Sequence, residues 1–300
     1  MKKSTLSIIV SFFFLTILLV SCSGKADNSL EDEMNKTEVS KINVSKEAID
    51  KLIQSFPSPI ETSIIIKKAG NVFNSELLIP TKKLDRFVSN YDKAMAMGAF
   101  GGDMGYINIY EKSFVAIDYL AAIRSLSVDL EIDRFFDFES MIRMAKSSSN
   151  IDSLMQMSTE SFNGMEKYLR EKGRNELSVL IVFGTWVEGS YIIGYIANDN
   201  MTEEMKNRVA EQKESVEKIY EVLQASSTDK YFANLARQMK PLLDLYKKVK
   251  IEKIIKEPEM QEVNGELVFI DKSETKIHAE GNAIQNIIDE TIKLRNQLLK

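Results

Sequence analysis

Two short segments of this chain gather carboxyls, phenols and glycines at helical spacing. Met97–Tyr110 holds Asp103, Tyr106 and Tyr110, and Phe183–Tyr195 holds Glu188, Tyr191 and Tyr195. Both read acid-x-x-Tyr-x-x-x-Tyr, with the two acids 85 residues apart (188 − 103). On a helix, positions i, i+3 and i+7 share a face, so each acid lines up with two phenols. Two carboxyls facing one cleft, roughly 5–10 Å apart, are the equipment of a glycosidase. They could also supply part of an oxygen-only Ca²⁺ or Mg²⁺ site. The surrounding sequence supports neither, since it has no Asp-x-Asp-x-Asp-Gly loop and only Trp186 as a tryptophan platform for a sugar. A buried carboxyl without a cation has its pKa pushed upward, and such groups gather at functional sites. Asp103, Tyr106, Tyr110, Glu188, Tyr191, Tyr195 and Trp186 are therefore candidate ligand contacts. The competing reading is that each acid bonds a tyrosine hydroxyl or a helix N-terminus inside the core. No metal and no cofactor are expected.

The remaining chemistries are bounded by single residues. One cysteine (Cys22) and one histidine (His278) exclude a disulfide framework, a Cys/His zinc site and a Cys–His pairing in the body of the protein. A Ser-His-Asp triad would have to use His278, which follows a hairpin-like segment beside Ala279 and Glu280 and reads as solvated or capping. No GxxxxGK[ST] loop occurs, and the Gly98–Gly105 cluster does not fit GxGxxG after a strand. A formal charge of −5 argues against nucleic acid, whose phosphates demand clustered Lys and Arg.

The candidate residues must be positioned by two helices rich in glycine, an arrangement that costs roughly 0.5–1 kcal/mol per glycine relative to alanine. Close approach of another backbone would offset that cost. Gly101 and Gly105 lie four apart, the spacing that lets helices touch. Gly98, Gly101, Gly102, Gly105, Gly184, Gly189 and Gly194 are accordingly read as helix-packing positions, with the two helices crossing at the centre of a bundle. The other reading is that the missing side chains leave room for a ligand between them. Val179–Ala197 is apolar enough to suggest a membrane span, but Glu188 near its middle and the charges just before it favour a buried central helix.

Apolar spacings of three and four dominate from Ser45 onward. They predict a short helix over 48–56 and another from Ser58 (N-cap) and Pro59 to Gly70. A long helix should follow Pro80-Thr81, and further helices are expected near 113–130, 134–147, 151–172, 176–197, 202–225 and 230–255, with Pro241 kinking or restarting the last. Asn264-Gly265 between β-favouring residues predicts a hairpin near 261–270, with a third short strand at 275–277. A final helix, 283–299, presents Ile284, Ile287, Ile288, Ile292 and Leu299, and Arg295 interrupts that stripe, so its last turns should be the less buried. The expected class is all-α, a multi-helix bundle with two central glycine-rich helices and a small C-terminal β-hairpin. Residues 46–300 are expected to form one domain, with a possible duplication relating 81–150 to 151–225.

The N-terminal residues carry an address. A basic start at Lys2-Lys3 and an apolar run from Leu6 to Val20 read as a signal peptide over 1–21. Leu19-Val20-Ser21-Cys22 resembles the lipobox of bacterial lipoproteins, in which the cysteine is diacylated and becomes the mature N-terminus. Loss of Lys2 and Lys3 takes the formal charge from −5 to −7. Residues 22–45, with Asp27, Glu31, Asp32, Glu33 and Glu38, read as a flexible acidic tether. Several acyl chains on Cys22 suffice for stable anchoring. The expected location is the bacterial cell envelope, the outer membrane ahead of the inner.

Longer stretches carry a second resemblance. Pro57-Ser58-Pro59, Lys67-Lys68-Ala69-Gly70, Asn74-Ser75-Glu76-Leu77-Leu78, Tyr91-Asp92-Lys93-Ala94, the Gly98–Asp103 run with Tyr106, and Gly184-Thr185-Trp186-Val187-Glu188-Gly189 are similar to motifs of a group of lipoproteins common in Bacteroidota-type bacteria. That resemblance implies an all-helical envelope lipoprotein and no particular activity. The functional expectation is a lipid-anchored, non-catalytic binding or scaffolding module, held to the membrane through Cys22 and open to an envelope protein partner. The alternatives are a small-molecule binder with its pocket between the glycine-rich helices and, more distantly, an acid-pair hydrolase.

Overall fold

The computed structural model describes residues 44–56, 59–146, 151–254, 259–263, 266–270, 274–279 and 281–299. The stretch read as signal peptide, most of that read as tether, Ser58 and Asn264-Gly265 lie outside these residues. Helices dominate: α1 (Lys46–Gln54), α2 (Pro59–Ala69), α3 (Asn90–Ile109), α4 (Ser113–Asp129), α5 (Phe138–Lys146), α6 (Ile151–Glu171), α7 (Asn175–Asp199), α8 (Glu203–Glu211), α9 (Lys213–Ala225), α10 (Lys230–Tyr246) and α11 (Ala283–Leu298). The protein is an all-α bundle with a small β addition near its C-terminus. Gly70 takes φ +76°, the left-handed conformation that ends α2 and that an L side chain rarely adopts.

Several elements depart from the sequence expectation. The helix expected after Pro80 is a 3₁₀ turn, Thr81–Arg86, and α3 begins only at Asn90. The reason is local: Ser89 accepts from the Asp92 amide while the Asp92 carboxylate accepts from the Ser89 amide, a capping box that sets the start of α3. The segment expected as 202–225 is two helices joined at Gln212. The helix expected to reach 255 runs through Pro241 but stops at Tyr246, and the alternating Val-Lys-Ile-Glu-Lys-Ile that follows is strand β1 (Val249–Ile254). Strands β2 (Glu259–Val263) and β3 (Glu266–Ile270) pair antiparallel, Val263 opposite Glu266. The expected third strand is β4 (Glu274–Ala279); it pairs with β1, Val249 opposite Ala279, instead of joining the hairpin.

Helix α7 is the centre of the bundle and packs against α3, α11, α6, α8, α1 and α2. By length and composition it could cross a membrane, yet 83% of its most apolar stretch is buried inside the protein. Its nearest neighbour is α3, and the two run in the same direction. An added Cβ on Gly98 would lie 1.9 Å from the Ile181 carbonyl oxygen and 2.9 Å from the Thr185 amide; one on Gly184 would lie 2.0 Å from the Met95 carbonyl oxygen and 3.1 Å from the Ala99 amide. Each glycine therefore faces the residue three before and the residue one after the other glycine. This local twofold relation equates Gly98 with Gly184, an offset of 86 (184 − 98), one residue away from the superposition of the two acids. A Cβ added on Gly102, four beyond Gly98, would lie 3.2 Å from the Thr185 carbonyl oxygen and 3.0 Å from the Glu188 Cβ. The touching pair is thus Gly98/Gly102. The expected contact at Gly101/Gly105 does not form, because Gly105 has open space beyond it.

A second joint ties α3 to α10 at their N-termini. The Tyr91 hydroxyl donates to Asp229, the N-cap of α10, at 3.3 Å, and the Tyr231 hydroxyl donates to Asp92 of the α3 capping box at 3.0 Å. The two rings meet edge-on at 5.0 Å. Each phenol thus bonds the carboxylate that caps the other helix. Removing either hydroxyl should cost about 1–2 kcal/mol, a hydrogen bond to a charged group. Tyr91→Phe, Tyr231→Phe and the double variant in urea denaturation test this; losses below a few tenths of a kcal/mol would show the clasp to be idle.

Candidate functional site

The superposed acids do come together. Asp103 on α3 and Glu188 on α7 are both 0% exposed, at the level where the two backbones touch. Glu188 forms a two-pronged ion pair with Arg295 of α11, Oε1 to Nη2 at 2.7 Å and Oε2 to Nε at 2.9 Å. The guanidinium also donates to the Leu77 carbonyl at 3.3 Å and lies over the Tyr191 ring, 4.3 Å from its centroid. Arg295 is therefore not the interruption that leaves the end of α11 exposed: it is the cation of the core, and Leu294 and Leu299 beside it are buried.

Asp103 turns the other way. Its Oδ2 accepts from the Ile79 amide at 3.0 Å, and the Ile79 carbonyl accepts from the Tyr119 hydroxyl at 2.8 Å. No N–H or O–H group reaches its Oδ1 among the described residues. The charge that acts on Asp103 most is Glu188, whose own cation, Arg295, is already engaged. Two fully buried carboxyls with one cation favour a proton on one of them. Burial, then the Glu188 charge, push Asp103 well above the usual aspartate range. Burial also raises Glu188, but Arg295 works against it. The proton therefore belongs to Asp103 and the charge to Glu188.

Two of the tyrosines are occupied as well. The Tyr106 hydroxyl accepts from the Asn74 amide at 3.0 Å, and the Tyr110 hydroxyl donates to the Asn71 carbonyl at 3.0 Å. Phe73 stacks on Tyr106 at 5.3 Å, and burial pushes Tyr110 up to about 12. Asp103, Tyr106, Tyr110, Tyr119 and Arg295 together bond the backbone of one segment, residues 71–79, which has no sheet or long helix to satisfy it. Trp186 lies elsewhere, its indole N–H bonded to Gln212 at 2.9 Å. Tyr195 is half-exposed beside Tyr191. A Cβ added on Gly194 would lie 3.2 Å from the Ile288 side chain of α11, while one on Gly189 would meet open space. Arg295 and Tyr119 are members of this cluster that sequence spacing did not reveal.

This geometry closes a fold; it does not open a cleft. Neither acid faces solvent, and the backbones that touch at Gly98 and Gly184 leave no room for a ligand between them. A cavity beside Gly194, bounded by Ser190, Gln212, Tyr246 and Thr291, has ≈ 10 Å³, space for one water. Among the described residues no group of three or more His, Cys, Asp or Glu is placed to hold a metal. His278 sits exposed on β4, 3.3 Å from Glu252. Set against family models, curated proteins and solved structures, the chain gives no match in any of the three.

Proposed function

We propose that the protein is a lipid-anchored component of the bacterial cell envelope that acts as a non-catalytic binding or scaffolding module. Its address rests on the lipobox-like Leu19-Val20-Ser21-Cys22 and on the resemblance to envelope lipoproteins. The observation that carries the binding role is the outer face of α4. This helix has only Asp118, Arg124 and Asp129 as charged residues, so apolar side chains run right round it. A helix of that kind is normally buried on all sides. Here α3 and α5 cover the inner faces, while Phe114 (90% exposed), Ala121 and Val128 (52%) stand outward at seven-residue spacing. Such a stripe suits a protein partner. Asp103, Glu188, Tyr106 and Tyr110 are engaged in internal contacts, which favours this reading over a hydrolase or an inter-helix pocket.

Native mass spectrometry on the protein extracted in mild detergent from its own envelope tests this reading. A stoichiometric protein partner, or a second copy, on a chain carrying acyl groups at Cys22 is the expected result. A chain that keeps its signal peptide unacylated would overturn the anchor. A small bound mass lost in Asp103→Asn/Glu188→Gln would replace the scaffold by a ligand binder.

A further inference from the structure

The segment from Ser75 to Phe87 lies over the buried acids as a strap made of two 3₁₀ turns with an extended stretch between them. Its Leu77, Leu78 and Ile79 are buried, and it is bonded to the site through the Ile79 amide and carbonyl and the Leu77 carbonyl. Beneath the strap, α3 and α7 are locked backbone against backbone and have little freedom to part. Arg86 ends the strap with its Nε buried and unpartnered among the described residues, its guanidinium 4.7 Å from the Phe87 ring centroid. Of the parts around the acids, the strap is held by the fewest regular backbone bonds.

We propose that Asp103 and Glu188 share one buried proton that keeps the strap closed, so that opening of the strap and release of this proton are one event. The groups facing Asp103 are Glu188 of α7, Arg295 of α11, Tyr119 of α4 and Tyr191 across Arg295; Arg86 acts on Glu188, and Asp118 acts on Tyr119. Arg295 is fully engaged by Glu188, so a second negative charge at Asp103 has no cation of its own while the strap is shut. Lifting the strap admits water, returns Asp103 to ordinary acidity and frees Arg86 to approach it. The closed state then binds one proton that the open state does not. Between the ordinary aspartate range and the raised one of closed Asp103, opening becomes tenfold more favourable per pH unit; it levels off once closed Asp103 itself ionises. The strap is a proton-controlled latch.

Asp103→Asn supplies the control, because its amide can accept from Ile79 and donate to Glu188 as the protonated acid does, with no proton to lose. The test is hydrogen exchange of the strap amides, Ile79 above all, in the full chain across this pH range, after correction for base-catalysed chemical exchange. Protection in the natural protein should fall about tenfold per pH unit and stay flat in Asp103→Asn. A flat natural profile, or the same slope in both proteins, overturns the latch. An infrared titration of the natural protein alone gives a second reading: a protonated carboxyl signal should persist to neutral pH, and its absence there also overturns it.

Discussion

Gly98→Ala and Gly184→Ala, each alone, are expected to destabilise the protein by about 3 kcal/mol or more, at the upper end for overpacking. The added methyl would sit 1.9 Å or 2.0 Å from a backbone carbonyl oxygen of the facing helix, and a backbone atom cannot swing aside as a side chain can. Either α3 and α7 separate over their whole contact, or the substituted turn distorts. Both responses disturb Asp103 and Glu188 one turn further along. Gly105→Ala is the contrasting case. Its Cβ meets open space on the same helix, so it should be neutral or stabilise by up to about 1 kcal/mol through helix propensity. Chemical denaturation of the three variants separates the readings: equal effects at 98, 184 and 105 would mean that glycine acts here through flexibility and not through contact.

Arg295→Met should cost about 3–5 kcal/mol, because it leaves Glu188 buried without a cation. Much of that loss should return in Arg295→Met/Glu188→Gln, where no charge is left behind. The pH dependence has a definite sign. Without Arg295, Glu188 is pushed further above its ordinary range, so the folded state holds a proton that the unfolded chain releases. Stability of Arg295→Met should therefore be closest to the natural protein at acid pH and fall away from it as pH rises past the usual glutamate range. A constant deficit at all pH values would assign the loss to packing over Tyr191 and to the Leu77 contact instead.

Local pattern in the sequence located most of the helices, and the glycines and acids of α3 and α7 were visible as a pair. What it missed has identifiable causes. The start of α3 was written in Ser89-Asn90-Tyr91-Asp92, a capping box that the apolar run from Leu84 to Tyr91 masked. Strand β1 was written in an alternating Val-Lys-Ile-Glu-Lys-Ile, which followed directly on a strong helical period. Arg295 could not be read at all, since its partner lies 107 positions away (295 − 188) and only the packing of α11 on α7 unites them. An isolated arginine in an apolar stripe looks like a fault until the buried carboxylate opposite is known. The same holds for Tyr119, whose hydroxyl serves a backbone carbonyl 40 residues earlier (119 − 79). Of the phenols in the repeated acid-tyrosine pattern, Tyr106 and Tyr110 bond the backbone of Asn74 and Asn71, where a ligand was one expectation, while Tyr191 lies against Arg295 and Tyr195 is half-exposed.

We separate the buried acids, which hold the fold, from the outer face of α4, which we propose meets a partner. Partner retention from the cell envelope, measured by native mass spectrometry together with thermal unfolding, tests that separation in two variants. Asp103→Asn/Glu188→Gln should keep its partner wherever it stays folded, and Phe114→Ser/Val128→Ser should lose the partner while unfolding at the same temperature as the natural protein. The reverse pattern, a folded acid variant stripped of what it binds and an α4 variant that keeps it, would place the function at the buried acids and contradict the account.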